Sequence, residues 1–210
     1  MLIPMIPITL YAEMTPNPNT MKFVANKYLL LDERTVEFVS LADTKGYSPL
    51  AEALFQFPFV KSVFLSSNFI TVTKDANIDW DFIVMELRDF IREWLMNGKE
   101  ILIRMPEESQ LKNKAGEIHQ NSQPLVPEKE FAPSEFDEPI RALLNEYVKP
   151  AVENDGGAIE YVGFENGTVT VKMKGSCSGC PSSTATLKGG IENLLRSHLD
   201  AVKEVVALSA

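Results

Sequence analysis

Thr168-Val169-Thr170-Val171-Lys172-Met173-Lys174 runs directly into Gly175-Ser176-Cys177-Ser178-Gly179-Cys180-Pro181-Ser182-Ser183, and this passage decides how the last third of the chain folds. Val169, Val171 and Met173 alternate with Thr170, Lys172 and Lys174, a period of two that predicts a strand with one buried face. The small residues that follow predict a loop. Beyond it Leu187, Ile191, Leu194, Leu195 and Leu199 recur at helical spacing. Val205-Val206-Ala207-Leu208 reads as a closing strand. On the other side, Ile159 to Phe164 forms a hairpin with Thr168 to Lys174 around Asn166-Gly167, a strong local signal for a tight reversal. Asp155-Gly156-Gly157 is a turn that ends a preceding helix. The apolar residues of that helix, Ile140, Leu143, Leu144, Tyr147, Val148 and Ala151, share one face, with Asp137 as its expected N-cap and Pro139 in its first turn. The order is α-β-β-α-β over residues 134–210, with both cysteines at a strand-to-helix junction.

Upstream, Met21-Lys22-Phe23-Val24, Tyr28 to Leu31 and Val36 to Val39 read as extended segments. Ser48-Pro49-Leu50-Ala51-Glu52-Ala53-Leu54 reads as a short helix with proline near its start. Val60 to Leu65 and Phe69 to Thr73 predict a second hairpin through Ser66-Ser67-Asn68. Trp80, Ile83, Val84, Leu87, Ile91, Trp94 and Leu95 predict a long helix, capped by Asn77 or Asp79 and ended by Asn97-Gly98. Ile101-Leu102-Ile103 reads as a last strand. Together these give a first domain over residues 8–105.

Between the domains, residues 106–133 lose all periodicity. The stretch is polar, acidic and dotted with proline, and it reads as a flexible linker because it buries too little apolar surface to offset chain entropy. Charge concentrates here: residues 106–139 hold eight acidic and three basic side chains, −5 of the chain's net −9. The expected architecture is therefore α+β, two small α/β-sandwich-type domains joined by an acidic linker.

An acidic chain lacks the positive surface that phosphate backbones require, so no nucleic-acid partner is expected. No apolar run approaches the roughly 18 residues needed to span a bilayer, so no membrane partner is expected. The opening Met1-Leu2-Ile3-Pro4-Met5-Ile6-Pro7 is interrupted by two prolines and has neither a basic region nor an Arg- and Ser-rich character, which predicts a cytoplasmic protein. No nucleophile–base set, phosphate loop or dinucleotide fingerprint is present, and the chain is expected not to be an enzyme.

The chain has two cysteines, Cys177 and Cys180, at Cys-x-x-Cys spacing. Two intervening residues let both sulfurs face one side of a tight loop. The N–H groups at the start of the following helix favour negative charge there and so stabilise thiolates. Thiolates are the ligands that iron–sulfur clusters take, and a Cys-Pro ending occurs in ferredoxin-type motifs. A [4Fe–4S] or [2Fe–2S] centre normally takes four cysteines, so two chains related by a two-fold axis complete the set. A cluster held on two cysteines per subunit near the surface suits a carrier better than a fixed electron-transfer centre. Two other chemistries share the motif. One is a thiol–disulfide oxidoreductase using the Cys177–Cys180 pair, which normally accompanies a βαβ pattern. The other is a structural zinc shared by two chains.

The Asp155-Gly156-Gly157 turn, the hairpin and the Gly175–Ser183 loop, in that order, resemble the C-terminal domain of NifU-like (Nfu-type) iron–sulfur proteins over roughly residues 134–208. Met14-Thr15-Pro16-Asn17-Pro18-Asn19-Thr20-Met21-Lys22-Phe23 resembles the opening of the Nfu N-terminal domain, and a weaker similarity extends to about residue 103. The resemblance implies that Cys177 and Cys180 are the cluster ligands. It implies a [4Fe–4S] cluster bridging a homodimer, with [2Fe–2S] as the other form, and transfer to apo iron–sulfur client proteins after supply by upstream assembly proteins. One departure is visible: the family commonly has Asp after the paired glycines, where this chain has Ala158.

The first domain has no cysteine, and docking of clients or donors is its expected task. His119 and His198 have no neighbouring ligand at metal spacing and read as solvated side chains. Thr15–Thr20 reads as a turn rather than a recognition site. Gly189-Gly190 inside a helix costs helix stability and suggests close packing at a dimer contact.

Overall fold

A computed structural model describes residues 7–31, 34–106, 131–178 and 181–209. The chain divides into two compact units, residues 1–117 and 118–210. The linker expected over residues 106–133 lies almost wholly outside the described residues.

The first unit is a five-stranded antiparallel sheet in the order β1-β2-β5-β4-β3. Its strands are β1 (Leu10–Met14), β2 (Thr20–Ala25), β3 (Val36–Phe38), β4 (Val60–Leu65) and β5 (Phe69–Lys74). The helices are α1 (Leu41–Thr44), α2 (Pro49–Leu54) and α3 (Trp80–Met96). One face of the sheet, carrying Phe23, Ile70, Val72, Val63 and Phe38, packs with Leu50 and Leu54 of α2 and with Leu87, Ile91 and Leu95 of α3. The expected hairpin, the Ser48-led helix and the long helix all form. Ser48 is fully buried; its hydroxyl accepts from the Ala51 N–H (3.1 Å) and donates to the Ile101 carbonyl (2.6 Å), so one side chain caps α2 and anchors the end of the domain. Asp79 occupies the N-cap of α3 without a side-chain cap bond, and Asn97 followed by Gly98 (φ +62°) closes the helix.

Two expected strands do not form. Tyr28 to Leu31 is irregular: the N–H groups of Leu29 and Leu30 both donate to the Ser67 carbonyl (2.6 and 3.1 Å) instead of entering a ladder, while both side chains still reach the core. Residues 101–103 form no ladder: the Ile103 N–H donates to the Tyr47 carbonyl (2.7 Å), and the Ile101 carbonyl accepts from the Ser48 hydroxyl. In both segments apolar side chains plug the core without strand pairing. Conversely, β1 and α1 escaped the sequence reading. β1 has no β-branched residue, and α1 is only four residues long, capped by Ser40.

Thr15–Thr20 is a structural turn. The Thr15 hydroxyl and that of Thr20 meet each other and the Asn17 carbonyl, and Asn17 is itself buried with its side-chain oxygen accepting from the Asn19 N–H (3.0 Å).

The second unit carries β6 (Gly157–Glu165), β7 (Thr168–Gly175) and β8 (Glu204–Ser209), with β6 and β7 antiparallel and β7 and β8 parallel. A parallel pair requires a crossover, and α6 (Pro181–His198) provides it. The hairpin turns on Asn166 (φ 53°) and Gly167 (φ 90°), the left-handed pair that an Asn-Gly reversal needs. Val169, Val171 and Met173 are buried as their alternation requires, against Ile191 and Leu195 of α6.

The helix before β6 is not uniform. It runs as α4 (Asp137–Leu143), a π-helical turn (Leu144–Val148) and α5 (Lys149–Asn154). Pro150 explains the wide turn, since it lacks an N–H and its ring pushes away the carbonyl four residues earlier. The widened turn re-phases the buried face to Ile140, Leu144, Val148 and Val152, while Tyr147 is half-exposed and Ala151 faces solvent, against expectation.

The N-cap expectation at Asp137 is also corrected. Asp137 is the first helical residue; its carboxylate reaches back to the Ser134 N–H (2.9 Å), and the Ser134 hydroxyl accepts from the Phe136 N–H (3.2 Å). The same carboxylate accepts from the Tyr161 hydroxyl (2.6 Å), which ties α4 to β6. The backbone bond from Ser134, then the Tyr161 bond, holds the Asp137 carboxyl below its ordinary value. A carboxyl depressed on folding contributes stability above its unfolded pKa and loses it as pH falls through the folded one. The contribution of Asp137 to the stability of this domain is therefore expected to be present near neutral pH and to fade as pH falls below its ordinary value of 3.8. An Asp137→Asn chain should show a flatter stability profile over that range by circular dichroism.

Candidate functional site

Cys177 lies just past the end of β7, and α6 begins at Pro181, so the sequence-predicted junction is where the sulfur is found. Cys180 lies outside the described residues. Two glycines make the place. Gly157 and Gly175 face each other at the end of the β6–β7 ladder, and Gly175 (φ +66°) and Gly156 (φ +82°) take left-handed backbone angles that favour glycine. At Gly157 the reason is space: a Cβ there would sit 2.6 Å from the Cys177 Sγ and 2.7 Å from the Lys174 carbonyl oxygen. The paired glycines thus let one strand end pass directly over the sulfur.

Hydroxyls fix the loop backbone. The Ser176 N–H donates to the Gly156 carbonyl (3.2 Å), and its hydroxyl donates to the Asp155 carbonyl while lying 3.8 Å from the Cys177 Sγ. The Ser178 N–H and hydroxyl both donate to the Gly175 carbonyl (3.1 and 2.9 Å). Thr184, one turn into α6, donates its hydroxyl to the Cys177 carbonyl (3.2 Å), which couples the helix to the cysteine. These roles of Gly157, Ser176 and Thr184 were not read from the sequence. The signal was the paired glycine and the density of hydroxyls around the motif, but which backbone they touch depends on the hairpin end meeting the helix start.

Cys177 is 6% exposed and belongs to the core of its domain. Burial shields an unloaded thiol, because oxidation follows thiolate character and access. Reaching this sulfur from solvent requires a side-chain rotation or a small loop shift. Ala158, where the family pattern has Asp, is buried and faces Lys174 across the ladder. The Lys174 ammonium finds its carboxylate two residues along β6, at Glu160 (2.5 Å).

The remaining candidates are dispersed. The His198 ring nitrogen lies 3.0 Å from the Leu194 carbonyl in the last turn of α6, and His119 lies outside the described residues. Among the described residues, no three His, Cys, Asp or Glu side chains converge as a metal site. Gly189 and Gly190 are exposed, and a Cβ at either would meet nothing within 4 Å, so packing inside the chain does not require them.

The family model described as "Scaffold protein Nfu/NifU N terminal" matches residues 10–98, and that described as "NifU-like domain" matches residues 140–206. The chain is 37% identical over 195 residues to the human protein named NFU1 iron-sulfur cluster scaffold homolog, mitochondrial, covering 91% of this chain and 68% of that protein. It is 35% identical to NifU-like protein 4, mitochondrial, of Arabidopsis thaliana, covering 91% of this chain and 62% of that protein. The chain thus spans about two thirds of the length of these relatives. Among solved structures it is similar to a NifU-like protein of Saccharomyces cerevisiae, with TM-score 0.44 and 23% identity over 50% of this chain and 92% of that one. The relatives' names overturn the cytoplasmic expectation, since they point to mitochondria. That expectation rested on composition and on seven opening residues, and neither fixes a compartment. Carrying both matched domains in order, and related to the human protein over most of its length, the chain belongs to the family of NifU-like (Nfu) iron–sulfur cluster scaffold proteins.

Proposed function

We propose that the chain carries an iron–sulfur cluster on Cys177 and Cys180, shares it between two copies of itself, and passes it to apo-proteins. The observation that carries this reading is the placement of Cys177 at the β7–α6 junction of the matched NifU-like domain, in a loop opened by Gly157 and pinned by Ser176 and Thr184. The cluster is cargo. With two cysteines per chain, a [4Fe–4S] cluster takes its four thiolates from a homodimer. Clients are apo iron–sulfur proteins and donors are upstream assembly proteins, met by the first domain over residues 8–105, with residues 106–133 as the tether to the cluster domain over residues 134–210. The relatives' names support a mitochondrial setting.

Anaerobic reconstitution with iron and sulfide tests this. The expected product is a coloured dimer with about two irons and two sulfides per chain. A colourless monomer that cycles a Cys177–Cys180 disulfide would replace the carrier with an oxidoreductase.

A further inference from the structure

The first domain carries a row of aromatic rings along one flank of α3. Phe82, Glu86, Phe90 and Trp94 follow one another at i+4 spacing, so they lie on one ridge of the helix. Phe90 and Trp94 are 5.9 Å apart, Phe90 meets Phe57 edge-on at 5.2 Å, and Phe57 meets Phe59 at 5.5 Å. These four rings are half-buried and pack against the outside of the core. Phe82 is different: it stands 78% exposed in the first turn of the helix. Large rings with open edges are the side chains that anchor protein interfaces.

The acidic side chains of α3 lie on both of its flanks and its two arginines on one. Glu86 and Glu93 project, exposed, beside the aromatic row. Arg88 and Arg92 lie on the other flank with Met85 and Met96, and Arg88 is tied to Asp89 (2.9 Å). The row therefore joins aromatic faces to carboxylates, a combination that attracts cations twice over. The chain already uses it once: the Lys99 ammonium sits 4.7 Å from the centre of the Trp94 ring.

We infer that the Phe82–Glu86–Phe90 flank of α3, with Phe57 and Phe59, docks a lysine- or arginine-bearing segment of a partner protein through its apolar and cationic side chains. The inference rests on the reading of the first domain as the docking domain and names its surface. The flank belongs to the first unit and the cysteine loop to the second, so docking is read on its own, without a cluster.

The test uses the full apo chain and a synthetic amphipathic peptide of lysine and leucine, beside the same peptide with glutamate for lysine. The lysine peptide should bind, weaken as salt rises, and shift backbone amide signals at residues 57–59 and along α3 from 82 to 94. Glu86→Lys should weaken it about tenfold, the equivalent of one lost favourable charge contact. Phe82→Ala should weaken it by a similar factor. Both positions are exposed, so unchanged circular dichroism is expected in each variant. Equal binding of the two peptides, shifts elsewhere, or indifference to both substitutions would overturn the assignment. Because binding is read without a cluster, failure of the carrier reading in reconstitution would leave this result standing, and the reverse.

Discussion

A Cys177→Ser chain, reconstituted beside the parent protein, is expected to stay colourless and monomeric and to retain neither iron nor sulfide. Removing one cysteine from each of two chains leaves two thiolates for a cluster that takes four. The effect is loss rather than attenuation. Serine also places a smaller and more strongly hydrated hydroxyl where the sulfur belongs to the core, which carries a stability cost of its own. Cys177→Ala separates the two effects, since it keeps the site apolar. Both variants colourless, with the alanine chain unfolding close to the parent, assigns the loss to ligation. Iron and colour retained in the alanine chain would remove Cys177 from the ligand set.

Gly157→Ala is expected to damage the site without replacing either proposed ligand. The added methyl would stand 2.6 Å from the Cys177 Sγ and 2.7 Å from the Lys174 carbonyl. The sulfur can rotate away, but the carbonyl belongs to the ladder and cannot. Forcing a methyl into packed structure costs about 1–3 kcal/mol, and the movable neighbour here is the proposed ligand itself. The substitution should therefore destabilise the second domain and also lower cluster loading. Both tryptophans, Trp80 and Trp94, lie in the first domain. A urea transition seen by far-UV circular dichroism but not by tryptophan fluorescence reports the second domain. Combining Gly157→Ala with Cys177→Ala removes one of the two close contacts, so the pair should couple by about 0.5–3 kcal/mol. Additive effects would mean that the methyl and the sulfur never meet.

These expectations came from different depths of the sequence. The α-β-β-α-β order of the second domain was legible because its signals are local. Alternation at Val169, Val171 and Met173, the Asn166-Gly167 reversal and the helical spacing of Ile191 and Leu195 each need only neighbours in the chain. The place of Cys177 between strand and helix was legible for the same reason, and the family resemblance followed from that order. In the first domain the β4–β5 hairpin and α3 were read correctly. Tyr28–Leu31 and residues 101–103 were not, because an apolar side chain satisfies the core equally well from a strand or from a tied-down irregular segment.

By itself, then, the sequence determined which segments are helix and strand where periodicity is strong, that Cys177 follows a strand and precedes a helix, and the family to which that arrangement belongs. Only the tertiary structure decided which backbone lies against the sulfur, that Pro150 opens a π turn and re-phases a whole helix face, and that Lys174 finds its carboxylate at Glu160 rather than at position 158. Only it left Phe82 standing in solvent beside Glu86. The physical reason is range. Periodicity and turn chemistry act between residues a few positions apart, whereas the closeness of Gly157 to Cys177, of Asp155 to Ser176 and of Thr184 to the Cys177 carbonyl exists only once the hairpin end, the loop and the helix start have been packed together.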